Sequence, residues 1–371
     1  MPKSVICHLT DFGAPVPGSF IDSLLCLARY CREKLQIDML CLFPDRARGR
    51  KWLSRFEEEG AIYAFIPETR AMVFDARHRL QNYDPVIFHT HFSPPDIPAV
   101  FLKMLFYKDV KIIWHIHSLA QLTYWQWVKD TVKVKVLARH FVDRCIAVGD
   151  GVYQNAIARG FPHEKLVLLH NGIYTDRFLP NHTRRASVRE SFGLSNEHVV
   201  YLLLGRDPIL KGVDVFVKAA AEAVRSNSRD SFFLIIGGQE TRDFVARLPE
   251  AAQLGAALRV IAFTEDFSSL LNGVDVLVSS SRRESFSYAI SESMAAGKLV
   301  ISSDIPGMRE IYGQSEGVWL FPTEAWQTLS LLMKRAQELP SSKRAILGQA
   351  NARHVVEHYA LEKWVEKLGK M

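Results

Sequence analysis

Two glutamates, Glu284 and Glu292, stand eight positions apart within SSSRRESFSYAISESMAAGKLVISSDIPGMREIYG (279–313). The run VDVLVSS (274–280) just before them is short and β-branched, which reads as a buried strand. A helix is expected from Ser287 to Ala296, stopped by Gly297. Glu284 then falls in the turn between strand and helix, and Glu292 lies further along the helix. The helix start between them offers free N–H groups and the positive end of the helix dipole, an arrangement that favours an anion. Two carboxylates beside a phosphate-sized anion site can hold a sugar nucleotide, with hydroxyls on the carboxylates and the diphosphate on the amides. An arbitrary pair of glutamates would be surface residues of an ordinary helix. The preceding strand, the small residues and the AAGKLVI run set this pair apart.

The elements that must position these residues repeat along the chain. Strand-like runs alternate with helical stretches, as in a parallel α/β sheet. In the first half they are VICHL (5–9), DMLCLF (38–43), AIYAFI (61–66), PVIFHTH (85–91), KIIWHIH (111–117) and RCIAVG (144–149). The second half offers VVYLLLG (199–205), FFLIIGG (232–238), LRVIAF (258–263), VDVLVSS (274–280) and KLVISSD (298–304). Between the sets lies the polar, turn-forming NGIYTDRFLPNHTRRAS, which places a domain boundary near residue 180. The expected domains are 1–180 and 181–350, with a terminal helix over 351–371. Two doubly wound domains place ligands at the carboxyl ends of their strands, and every polar motif named here follows a strand.

At 371 residues, with 48% hydrophobic and 23% charged residues, the chain is long for one core and ordinary for a folded protein. The apolar run Val5–Leu9 is too short for a signal peptide, and no run approaches the roughly 18 apolar residues of a spanning helix. The five cysteines (Cys7, Cys26, Cys31, Cys41 and Cys145) lack zinc spacing and fit buried thiols of a reducing cytosol.

The formal charge is +6, and its excess is clustered. Arg46, Arg48, Arg50, Lys51 and Arg55 form one group. YWQWVKDTVKVKVLARHFVDR (124–144) interleaves aromatics with Lys129, Lys133, Lys135, Arg139 and Arg144. Such a helix either rests on an anionic membrane surface or packs on the protein with a solvated basic face. No nucleic-acid-binding motif accompanies the charge.

The stretch from Glu284 to Glu292 and the AAGKLVI run after it resemble the retaining glycosyltransferases of family 4, which have the GT-B fold: two Rossmann-like domains facing one another across a cleft. The resemblance extends to Arg206 and Lys211-Gly212 after VVYLLLG, and to Asn171-Gly172-Ile173 with Phe178. It implies that the terminal helix crosses back onto the first domain. It also implies that Arg206 and Lys211 hold a donor diphosphate, whose departing charge needs fixed cations. Glu292 would take ribose hydroxyls, Glu284 the transferred sugar, and the backbone at Phe286 and Ser287 a phosphate. Gly18 would open the first helix and let the diphosphate approach closely. This chain has Glu-Ser-Phe-Ser where the family usually has Glu-Gly-Phe-Gly, Pro306-Gly307 before Glu310 where it has a Gly pair, and Tyr174 where it has Asp. In the family the base of the nucleotide is read largely through backbone near the turn TEDF (264–267).

His115 and His117 end one strand on one face, and His89 and His91 end its neighbour. Four histidines on adjacent strand ends could suggest a metal, whereas the resemblance implies metal-independent chemistry with no cofactor. It places His117 near the transferred sugar; His89, His91 and His115 are open between function and packing. The function implied is transfer of a sugar from a UDP- or GDP-sugar to a hydroxyl acceptor, lipid-linked or a growing glycan, at the cytoplasmic side, with retention of configuration. The rival readings are a sugar-nucleotide 2-epimerase of the same fold, and a non-catalytic protein that binds sugar nucleotides or associates with membrane.

Overall fold

The structure is a computed structural model and describes residues 3–68, 71–119, 123–226, 230–264, 266–306 and 308–371. Glu265 of the TEDF turn and Gly307 of the Pro306-Gly307 pair lie outside the described residues. The chain forms two compact units, Met1–Gly172 with Leu361–Met371, and Ile173–Ala360.

The first unit carries seven parallel strands: β1 (Lys3–Thr10), β2 (Asp38–Pro44), β3 (Ile62–Ile66), β4 (Tyr83–His91), β5 (Lys111–Ile116), β6 (Arg144–Ala147) and β7 (Leu166–Leu168). Their order across the sheet is β3-β2-β1-β4-β5-β6-β7. Six of these runs are the apolar, β-branched segments expected from the sequence. Five of them are largely buried on both faces, which is why they read as continuous apolar runs and not as alternating ones, whereas the edge strand β3 is mostly half-buried. β7 has only three residues and lies at the sheet edge, where strands are often short, and its pattern was too brief to recognise.

One core of this unit gathers Cys41, Phe43, Phe56 and Ile146 with Phe20, Ile21 and Leu24 of the helix Gly18–Tyr30. The terminal helix Leu361–Gly369 adds Leu361, Trp364, Val365 and Leu368 to it. Each such side chain contributes roughly 1.5–3 kcal/mol on full burial, so this short helix is held firmly by its apolar stripe.

The second unit carries β8 (Val199–Leu204), β9 (Ser231–Ile236), β10 (Leu258–Ile261), β11 (Val276–Ser279), β12 (Leu299–Ser303) and β13 (Val318–Phe321). They are again all parallel, in the order β10-β9-β8-β11-β12-β13. β13, a four-residue edge strand, was likewise not foreseen. In both sheets the winding reverses beside the first strand, between β1 and β4 and between β8 and β11. Loops leaving the strand ends diverge there and leave a crevice.

The sequence placed the boundary near residue 180 and a returning helix over 351–371. The division falls instead after Gly172 and at Leu361. Ile173 explains the first position: its N–H donates to Tyr359 O at 2.7 Å, and it bridges Ala360 in parallel, which ties 173–178 to the second unit. The helix Ser341–Tyr359 stays there because Gly348 lies against Gly297, where any Cβ on Gly348 would meet Gly297 O at 1.8 Å.

Candidate functional site

In the second unit the chain leaves β8 through Gly205 and makes a tight turn. Asp207 Oδ1 accepts from Leu210 N at 2.9 Å, and Asp207 O accepts from Lys211 N at 2.8 Å. Gly212 follows with φ +62°, and a Cβ there would lie 2.1 Å from Ser280 O. Glycine is therefore required at this position twice over, for the left-handed backbone and for the close approach. Ser280 Oγ donates to Lys211 O at 3.0 Å and to Gly212 O at 2.8 Å, pinning this loop to the end of β11.

Those contacts place Lys211 beside Glu284. The Lys211 ammonium is ion-paired with Glu284 Oε1, and Ser281 Oγ donates to the same oxygen at 2.9 Å. Lys211, Ser281, Glu284 and Ser287 line one pocket, floored by Leu203, Leu277 and Ile290. The two side chains are 24% and 11% exposed, so their attraction is screened far less than that of a surface pair.

The helix Tyr288–Ala295 begins one residue inside the start expected from the sequence, because Ser287 is its cap and accepts from Ile290 N. Gly297 stops it at φ +67°. Phe286 is buried with its ring edge-on to Tyr288 at 5.4 Å, so it can offer only backbone to a ligand. Glu292 is 8% exposed on this helix and Arg206 is exposed, with its guanidinium over the Phe263 ring at 5.2 Å. Neither lines the Lys211–Glu284 pocket.

One residue that sequence reasoning passed over holds the site together. Arg282 donates to Asp214 Oδ1 and Oδ2 at 3.1 and 2.9 Å, to Glu324 Oε2 at 2.8 Å and to Ile209 O. Its two acidic neighbours push its pKa up, through their hydrogen bonds first. The fork joins the 207–212 turn, the helix Val213–Arg225 and the loop bearing Glu284. The signal in the sequence was Arg282 itself, inside SSSRRES; its acceptors are 68 and 42 positions away and could not be paired by inspection.

In the first unit Gly18 opens the helix Gly18–Tyr30 with φ +57°, and a Cβ there would meet nothing within 4 Å. What this glycine supplies is the left-handed turn. Asn171 is buried, and Gly172 lies so close to the terminal helix that a Cβ would meet Leu361 and Trp364 at 2.8 Å. That accounts for the Asn-Gly pair by packing alone. All five cysteines are free thiols, and burial raises those of Cys31 and Cys145 to about 12.

The strand-end histidines form a larger group than expected. His8 of β1 is in register with His89, and His91 is in register with His115. Parallel register and the two-residue period together put His8, His89, His91, His115 and His117 on one face. Ring contacts run through the set: His8–His89 at 4.7 Å, His89–His91 at 4.3 Å and His115–His117 at 4.3 Å. Burial pushes the pKa of His8 and of His117 down to about 3 and holds the other three well below the ordinary value. These are neutral imidazoles. Phe92, with φ +66°, stacks on His117 at 4.5 Å, and a bulky residue keeps that backbone only where the surroundings enforce it. His8 was missed because a lone histidine in VICHL carries no pattern.

The basic clusters divide. Arg46 pairs with Asp11 and Glu68, Arg48 with Asp45 and Arg55 with Asp22, so three of the five cations are held by acids nearby, and Arg50 donates to Gly13 O at 3.1 Å. The 124–144 segment is helical from Tyr124 to Phe141, with a π-helical middle from Lys133 to Ala138. Lys133 departs from the expected solvated face: it is 11% exposed and pairs with Asp96 at 2.6 Å. Tyr124, Trp125 and Trp127 are exposed, as are Lys129, Lys135 and Arg139. Among the described residues no helix is long and apolar enough to cross a membrane.

The model of the family described as Glycosyltransferase Family 4 matches residues 23–177, and that of Glycosyl transferases group 1 matches residues 185–354. The alpha-D-kanosaminyltransferase of Streptomyces kanamyceticus is 27% identical over 268 residues, covering 68% of this chain and 68% of that protein. An uncharacterized glycosyltransferase of Methanocaldococcus jannaschii is 28% identical over 169 residues, 43% of this chain and 42% of that protein. The match thus spans less than half of one relative and about two thirds of the other. Among solved structures, HepE of Anabaena in complex with UDP-glucose superposes with a TM-score of 0.82 at 17% identity, over 99% of this chain and 98% of that one. With both halves matched and the double sheet in place, the chain belongs to the family 4, group 1 glycosyltransferases and has their GT-B fold.

Proposed function

We propose that this protein is a retaining hexosyltransferase that moves a sugar from a nucleoside-diphosphate sugar to a hydroxyl acceptor. The observation that carries the reading is the Lys211–Glu284–Ser281 group beside the capped start of the Tyr288–Ala295 helix. Enzymes of this family use nucleotide-sugar donors and typically need no metal. HepE is known with UDP and with UDP-glucose, which favours a uridine donor over a guanosine one here.

In this reading Arg206 and Lys211 hold the diphosphate, with the backbone at Phe286 and Ser287 on one phosphate. Glu292 takes the ribose hydroxyls and Glu284 the transferred sugar. The same reading gives the first, acceptor-side domain two residues of its own: Gly18 for the approach of a diphosphate, and His117 for one neutral hydrogen bond with a sugar. Lys211 is already paired with Glu284, so an arriving diphosphate shares the ammonium with that carboxylate and draws the two substrate-binding functions together. As the sugar–phosphate bond breaks, negative charge grows on the leaving diphosphate, where the fixed cations lower the barrier. The leaving phosphate oxygen then accepts the acceptor's proton, with positioning supplying much of the rest. No enzymic nucleophile or cofactor is called for.

The acceptor is proposed to be a lipid-linked or growing glycan met at the cytoplasmic face of a membrane. Tyr124, Trp125 and Trp127 are 71%, 72% and 52% exposed, with Lys129, Lys135 and Arg139 interleaved. Aromatics and cations so arranged suit an anionic headgroup layer.

The test is a screen of UDP- and GDP-sugars with product analysis. Release of nucleoside diphosphate with an α-linked donor giving an α-linked product is expected; Glu284→Ala should abolish it while the melting temperature holds. A new sugar nucleotide with no free diphosphate would make the protein an epimerase. Full turnover in the Glu284 variant would remove the site assignment.

A further inference from the structure

The five-histidine face is costly as it stands. Three ring–ring hydrogen bonds run through it: His8 Nδ1 with His91 Nε2 at 2.8 Å, His91 Nδ1 with His117 Nε2 at 3.1 Å, and His89 Nε2 with His115 Nδ1 at 3.3 Å. His115 Nε2 and His8 Nε2 are buried with no partner, in rings 3% and 0% exposed. A buried polar atom left unpaired costs about 1–3 kcal/mol, and an apolar residue would have avoided that cost at either place. One ring nitrogen each from His91, His115 and His117 lie within 4.8 Å of one another.

We propose that His91, His115 and His117 form a site for one borderline divalent transition-metal ion of the zinc class, separate from the donor-binding residues of the second unit. Two nitrogens on one tetrahedral zinc ion, each about 2.0–2.1 Å from it, stand about 3.4 Å apart, close to the 3.1 Å between His91 Nδ1 and His117 Nε2. The ligand set is His91 Nδ1, His117 Nε2 and His115 Nε2, the last being the orphaned atom. The other nitrogens of His91 and His115 are already engaged by His8 and His89, as the outer partners of metal-bound imidazoles usually are. Three imidazoles leave a fourth position open. His117, the half-buried member, gives the ion its way in. An ion there engages the ring that the transfer reading offers to the sugar, so a filled site opposes transfer. Binding of the ion does not depend on that reading.

The experiment is equilibrium dialysis of the chelator-stripped full chain against zinc, with cobalt as the spectroscopic probe. One ion per chain is expected, with the visible absorption of tetrahedral cobalt. His115→Ala and His117→Ala should each weaken binding by more than tenfold, and the outer variants His8→Ala and His89→Ala by about 10–100-fold. Melting curves check folding; should the His115 variant fail to fold, His117→Ala carries the test because its ring is only half buried. No uptake at micromolar free metal, or unchanged uptake in a folded His117→Ala protein, overturns the proposal. Failure of metal binding with intact sugar transfer would leave the transferase reading standing.

Discussion

The two switch points of this molecule share a topology and differ in chemistry. At β8 and β11 the loops bring an ammonium, a carboxylate and two serines to the start of a helix. At β1, β4 and β5 the strand ends carry neutral imidazoles enclosed by Phe20 and Phe92. The first arrangement suits a charged ligand, because paired charges can be shared with an incoming anion. The second suits a neutral contact or a metal ion. Strand order decides where a ligand can sit; the residues after each strand decide what kind it is.

The sharpest break of that comparison is Lys211→Ala. If the charged site carries the leaving group, kcat/KM for transfer falls by about 10²–10³, as when one transition-state donor is removed; steady-state kinetics with the preferred donor reads it. Gly212→Ala should act on folding instead. Its Cβ clashes with Ser280 O in a left-handed backbone, and the loss is on the order of 3 kcal/mol in denaturant unfolding. A variant as stable as the parent would mean that the 207–212 turn is not fixed to β11.

His117→Ala, in contrast, should lower kcat/KM only about tenfold, the worth of one neutral hydrogen bond. A loss matching that of Lys211→Ala would place a charged or proton-transferring role in the first unit.

A test of a different kind, on stability and not on turnover, concerns Lys298, a base held by the second unit as the histidines are held by the first. Burial pulls its pKa down from 10.5 to about 8. Between those values the unfolded chain binds more protons than the folded one, so this group makes stability rise as pH increases from 8 to 10. Lys298→Met should therefore melt above the parent at pH 8 and lose that advantage by pH 10; a constant difference would put Lys298 in water.

How much was legible from the sequence varied with distance along the chain. The Glu284–Glu292 spacing, the cap at Ser287 and the stop at Gly297 are local, and they could be placed from periodicity and capping chemistry. Lys211-Gly212 could be recognised as a motif, but its direct pairing with Glu284 joins positions 73 apart. Arg282 and His8 were visible as letters without a role, because their partners come from other strands and turns. β7, of three residues, was too short to show a period, and β13 is an edge strand with only one buried residue.

By itself the sequence determined the double α/β winding and the strand–turn–helix around Glu284, since each rests on propensities and backbone geometry within a few residues; the cationic loop after β8 was legible only through the family resemblance. Only the tertiary structure decided that Lys211 and Glu284 share one ion pair, that Arg282 locks their loops, and that five histidines from three strands meet on one face. Those contacts depend on parallel register and on long-range burial, where a side chain's neighbours, and hence its charge state, are set by residues far away in the chain.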